Sequence, residues 1–274
     1  GPAHDRLLTH MNTANTVKDT SPRSSIYPLG LLFTLALGAL SGVLISLAMP
    51  HGPATAPQAL IVLGAGLAVG VACGRVARSR WVALLAPLAH IIAIEIARLG
   101  VSGPTVGAIR LDEPYGIIAL VLGRGFHGLV GLLPMLIGVG FGRALARRAA
   151  GDTRAIRPAP TVAGAGVVLG LAVALVLPAS TPPFMGADGQ PVPGSIAELA
   201  SVPVDGADLG LLIRGRSADN PVLLYLSGGP GQTDLPFSRV VFEDMAQDFI
   251  VARLGQRGTG QSYRSPHPTP GLAA

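Results

Sequence analysis

Apolar positions run in long unbroken blocks through the first two thirds of the chain, separated by short polar segments. Residues 29–49 carry no charge, and residues 59–74 are apolar up to Arg75, Arg78 and Arg80. Residues 81–97 open on Trp81 and close at Arg98. Residues 117–141 are apolar apart from Arg124 and His127, and residues 162–177 lie between Pro160 and Pro178. A membrane-crossing helix needs about 20 mostly apolar residues. The blocks therefore predict about five transmembrane helices between residues 29 and 180. The first block exceeds the roughly 7–15 residues of a signal-peptide core, so it is read as a retained anchor.

After Pro178 the pattern changes. Residues 181–194 are rich in Pro and Gly and read as a linker leaving the membrane. Residues 196–203 and 209–214 are short strand-like stretches broken by Asp205-Gly206, and residues 221–226 form a continuous apolar run, as in a buried strand. Residues 237–247 have helical spacing, and residues 249–252 form a second buried strand. Strand, glycine turn, helix, strand and glycine turn predict the start of a doubly wound α/β sheet. The expected layout is a cytoplasmic segment over residues 1–28, a helical membrane bundle over 29–180, a linker over 181–194 and the first part of an α/β domain over 195–274.

Composition sharpens this picture. Hydrophobic residues make up 49% and charged residues 13% of the 274, about half the charge of an ordinary globular domain. The net charge of +5 is unevenly spread: residues 1–180 hold 14 Lys and Arg against 6 Asp and Glu, and residues 181–274 hold 6 against 9. The arginines sit between apolar blocks, and no basic face carries interleaved aromatics, so nucleic acid is not expected as a partner. Cytoplasmic loops of membrane proteins are rich in Lys and Arg. That places Arg75, Arg78 and Arg80 inside, together with Arg143, Arg147, Arg148, Arg154 and Arg157 and the N-terminal Lys18 and Arg23. Five crossings then carry everything after Pro178 outside. The expectation is a multi-pass protein of the cell membrane, with the bilayer as partner. A single cysteine, Cys73, excludes an internal disulfide and reads as a small packed residue.

Polar residues inside apolar blocks are candidates for function. His90 and Glu95 lie in the third block, Arg124 and His127 in the fourth, and a structural Glu95–Arg124 pair is the expected arrangement. Gly123, Gly125 and Gly128 match the spacing of a dinucleotide-binding turn. That turn requires a soluble βαβ unit and an acid about 20 residues on; apolar flanks and the arginine-embedded Asp152 argue against it. No cofactor or metal site is expected. Glycines four apart (Gly38/Gly42, Gly66/Gly70/Gly74, Gly138/Gly142, Gly166/Gly170) are read as helix packing within the bundle.

The run Leu224-Tyr225-Leu226-Ser227-Gly228-Gly229-Pro230-Gly231, followed about 25 residues later by Gln256-Arg257-Gly258-Thr259-Gly260, resembles the α/β-hydrolases related to proline iminopeptidase. Their hallmark is an HGGPG-type turn after one strand and a DQRG-x-G-x-S turn after the next. The resemblance spans roughly residues 195–265. It implies that Gly228, Gly229, Pro230 and Gly231 shape an oxyanion-hole loop, with Gly229 the nearest donor, and that Gln256, Arg257, Gly258 and Gly260 form the second family motif. Oxyanions are stabilised by preorganised backbone N–H groups. Ser227 replaces the family's histidine, and Leu254-Gly255 replaces its Trp-Asp, which takes away the neighbouring acid expected to partner Arg257.

Hydrolases of this type place the nucleophile on a G-x-S-x-G elbow, followed by an acid and a histidine. The 274 residues contain no G-x-S-x-G, and His267 is the sole histidine after the membrane blocks. No catalytic residue of the triad is therefore identified. Taken with the apolar blocks, the resemblance implies a membrane-anchored serine hydrolase, aminopeptidase-like and acting on peptides or small esters, of which this chain is an inactive N-terminal fragment. The alternative is a non-enzymatic membrane protein for transport or partner binding, with a vestigial hydrolase segment.

Overall fold

The structure is a computed structural model that describes residues 26–48, 54–77, 79, 81–99, 111–112, 114–226 and 235–262. Among these, the apolar blocks are helical: α1 (Ile26–Ala48), α2 (Ala56–Val76), α3 (Val82–Ala97), α4 (Pro114–His127), α5 (Leu133–Ala149) and α6 (Pro158–Val176). A π-helical turn over Gly128–Leu132 joins α4 to α5. Pro134 follows it and cannot donate the backbone N–H that an α-helix would aim at the Val130 carbonyl, a local reason for the shifted register. Among the described residues, four helices are by length and composition apolar enough to cross a membrane: Pro28–Ala48, Ala56–Val76, Gly116–Ala149 and Pro158–Val176. Val82–Ala97 is a shorter apolar helix that contains Pro87. Residues 117–122, strand-like in isolation, are helical, so the Gly123–Gly125–Gly128 spacing sits in no strand–turn–helix unit.

Two compact units are distinguished. The first comprises Gly1–Leu44, Gly64–Ile96 and Gly131–Gly164, the second Ile45–Leu63, Ala97–Val130 and Ala165–Ala274. In the first unit, glycines bring helix backbones together. A methyl group at Gly38 would stand 2.7 Å from the Ala86 carbonyl oxygen, and one at Gly42 would collide with the His90 carbonyl. Gly66, Gly70 and Gly74 of α2 meet Gly131, Met135 and Val139, while Gly138 and Gly142 of α5 meet the backbone of Leu67 and Val71. Contact positions advance together along each pair, so α1 runs parallel to α3 and α2 parallel to α5. Gly30, near the start of α1, meets Val76 and Ala77 at the end of α2. Cys73, Ala77, Val82, Ala86, Met135 and Val139 form the buried core between these helices. Small residues allow such close approach where no hydrophobic drive separates helix from lipid.

The second unit contains a mixed four-stranded sheet: β1 (Ile196–Val204), β2 (Ala207–Gly215), β3 (Val222–Leu226) and β4 (Ile250–Leu254), in the order β1-β2-β4-β3. Asp205 and Gly206 both have positive φ, the conformation of a two-residue hairpin turn, so β1 and β2 are antiparallel. β3 and β4 are parallel, and the chain between them contains α7 (Leu235–Val241) and α8 (Met245–Asp248). Parallel neighbours need such a crossover. Phe242 and Ala246 cover one sheet face over Leu223 and Val251, joined by Phe184 and Val192. Residues 184–192 are folded against the sheet: Val192 N–H donates to the Phe184 carbonyl at 2.8 Å, and Met185 pairs with Pro191. On the opposite face of β3, Val222, Leu224 and Leu226 are 57–68% exposed.

Candidate functional site

Leu226 ends β3 and Leu254 ends β4, and the two pair in the parallel register. The two adjacent parallel strands thus end together, and carboxyl ends of parallel strands are where open α/β sheets bind ligands. Gly228, Gly229, Pro230 and Gly231, the predicted oxyanion-hole residues, lie outside the described residues, as does His267. The second motif is described in full. Gly258 and Gly260 have φ of +76° and +45°, and Gly258 N–H donates to the Ser262 carbonyl at 3.1 Å. The Thr259 hydroxyl donates to the Gln256 carbonyl at 2.8 Å, which closes the turn.

Arg257 finds an acid elsewhere in the chain. Its Nη2 donates to the carbonyls of Val204 and Asp205, at 2.9 and 2.7 Å, and stands 3.4 Å from the Asp205 carboxylate. The guanidinium thus holds the end of the β1–β2 hairpin, and Asp205 supplies the negative charge that position 255 lacks. Gly255 itself leaves room for a second tie. The fully buried Ser262 hydroxyl donates to the Gly255 carbonyl at 3.0 Å and accepts from the Gly210 N–H at 2.9 Å, while Gly255 N–H donates to the Gly210 carbonyl at 2.8 Å. A methyl on Gly255 would come within 3.0 Å of that hydroxyl. Ser262 is therefore a strut between β2 and the loop after β4, and its hydroxyl is committed on both sides.

Sequence reasoning passed over two buried arginines on the covered face. Arg214 and Arg253 are 9% and 3% exposed. Arg214 stacks over Phe184 at 4.3 Å and donates from Nη1 to the Thr181 hydroxyl and the Pro182 carbonyl. Arg253 lies over Tyr225 and Phe242 at 4.4 and 4.5 Å. With Arg239, Leu212, Phe242 and Val251 they line one narrow cleft. Burial pulls the Arg214 guanidinium below its ordinary value; Glu243 opposes that, and Arg239 adds to it. The signal available in sequence was alternation: each arginine occupies an inward position of a short apolar strand, where a stacked guanidinium with a buried stem fits.

Among the intramembrane candidates, His90 is buried and its Nδ1 lies 2.8 Å from the Ser41 hydroxyl, a polar link between α1 and α3. Glu95 and Arg124 fall in different units. Among the described residues, no group of three or more His, Cys, Asp or Glu side chains is arranged to hold a metal ion.

No family model and no solved structure matches this chain. The chain is 36% identical over 69 residues to "Probable aminopeptidase YbaC" of Bacillus subtilis (strain 168), a stretch covering 25% of this chain and 22% of that relative. This likeness to a probable aminopeptidase is partial and accompanies a chain rich in long apolar helices.

Proposed function

We propose that this chain is the N-terminal part of a membrane-anchored serine hydrolase of proline iminopeptidase-like type, with its sheet on the extracytoplasmic side. The observation that carries the reading is the parallel register of β3 and β4, whose last residues Leu226 and Leu254 pair and each directly precede a glycine-rich motif in sequence. The partial likeness to a probable aminopeptidase supports peptide or ester hydrolysis. The Gly228–Gly231 segment holds the oxyanion in this reading, and the loop of Gln256, Arg257, Gly258 and Gly260 is the second family motif, braced by Asp205 and Ser262. The attacking serine, its acid and its histidine come from sequence beyond residue 274. Residues 1–28 lie in the cytoplasm, and the apolar helices between 29 and 180 anchor the enzyme in the cell membrane.

The test is the gene downstream of codon 274. A frame that runs on to a G-x-S-x-G, then an acid and a histidine, is expected. The longer product should label with a fluorophosphonate serine probe, and alanine at the elbow serine should abolish labelling. A stop codon directly after Ala274 would refute the hydrolase reading and move attention to the helices.

A further inference from the structure

The parallel pairing of α2 with α5 brings two arginine-bearing helix ends to one end of the first unit. A methyl on Gly142 would touch Arg75 N, so the end of α2 lies beside the last turns of α5. Five arginines and one acid, Asp152, occur between residues 143 and 157. Arg147, Arg148, Arg154 and Arg157 are exposed.

This segment is an ordered turn. Gly151, at φ +97°, closes α5: its N–H donates to the Arg148 carbonyl, and Asp152 N–H donates to the Arg147 carbonyl. The Asp152 carboxylate accepts from the Arg154 backbone N–H at 3.0 Å, and Arg148 Nη1 donates to the Thr153 carbonyl at 3.3 Å. Ala155 is buried beneath, at 5% exposure. Asp152 is thus engaged with backbone and sits among guanidiniums that outnumber it. The next helix, α6, begins at Pro158 with apolar sequence of membrane-crossing length. A turn this short between two such helices has to lie at the bilayer surface.

We propose that this turn, together with Arg75, is a docking surface for anionic phospholipid headgroups of the leaflet it faces. Guanidiniums held at the headgroup level attract phosphates strongly, and juxtamembrane arginine clusters of this size meet the charge requirement. The proposal rests on the membrane reading of the helices and is independent of the hydrolase reading.

The full chain is reconstituted into vesicles of phosphatidylcholine alone and into an equal mixture with phosphatidylglycerol. It is then released into detergent, and its retained lipids are weighed by native mass spectrometry. The wild-type chain is expected to retain phosphatidylglycerol in preference to phosphatidylcholine, with the preference falling as salt rises. Each guanidinium removed should lower it roughly fivefold. The variant Arg154→Gln/Arg157→Gln leaves α5 intact and isolates the turn from helix folding. Equal retention of both lipids by the wild-type chain, or an unchanged preference in that variant, overturns the proposal. Carbonate washing of the vesicles separates the two readings. A chain that stays in the membrane without lipid preference refutes the headgroup surface alone, whereas a chain that washes out refutes the membrane reading with it.

Discussion

Arg257 donates from one nitrogen to two backbone carbonyls, and its charge partner, Asp205, has a side chain that is 94% exposed. Exposed ion pairs contribute little, whereas hydrogen bonds from a charged group contribute more. Arg257→Ala should therefore destabilise the folded sheet by about 1–2 kcal/mol, while Asp205→Ala should change it little. Thermal unfolding of both variants checks the ranking; an Asp205→Ala loss equal to that of Arg257→Ala would contradict it. Ser262→Ala removes a hydroxyl that both donates and accepts in a buried site and should cost about 1–3 kcal/mol by the same measurement. Neither tie was visible beforehand. The acid was sought next to Arg257 in sequence, but the hairpin turn brings Asp205 to it from more than 50 residues away. Ser262 stands at the serine position of the DQRG-x-G-x-S pattern, which says nothing of its partner in β2.

Helices and strands were largely legible, because length and period decide them. Strands β1–β4 fall where alternation and apolar runs predict, within two residues at their ends. The helical stretch expected over residues 237–247 is split into α7 and α8 by a turn over residues 242–244. Glycine spacing was legible only in part. Gly70 and Gly138 lie against a neighbouring backbone, but Gly166 and Gly170 of α6 have nothing within 4 Å of an added methyl. Four-residue spacing is the same in both cases, and only the presence of a partner helix separates them. Gly70→Val should destabilise the bundle by about 1–3 kcal/mol through overpacking, whereas Gly166→Val should leave its melting in detergent nearly unchanged. Comparable losses in the two variants would show that the glycines act through helix propensity instead of close approach.

At the scale of the whole molecule, the sheet presents an apolar edge. β3 is one of the two outer strands and leaves Val222, Leu224 and Leu226 in the open, while Val240 and Val241 of the crossover are 78% and 68% exposed. Unpaired edges and uncovered apolar faces lead to association. Residues 181–274 expressed alone should aggregate or remain disordered; a cooperative thermal transition for that piece would contradict this. The number of apolar blocks was readable from hydropathy, whereas the gathering of arginine-bearing ends depends on which helices pair, a tertiary fact that no single block encodes.

The proposed topology puts the loop over residues 143–157 in the cytoplasm and everything after Pro178 outside. The native Cys73 is fully buried and serves as a silent background. Cysteine reporters added singly at the exposed Asp219 and Thr153 (Asp219→Cys and Thr153→Cys) are treated on intact cells with a membrane-impermeant maleimide. The account predicts labelling of Asp219→Cys on intact cells and of Thr153→Cys only after permeabilisation. Labelling of both reporters on intact cells, or of neither until the membrane is opened, would contradict it.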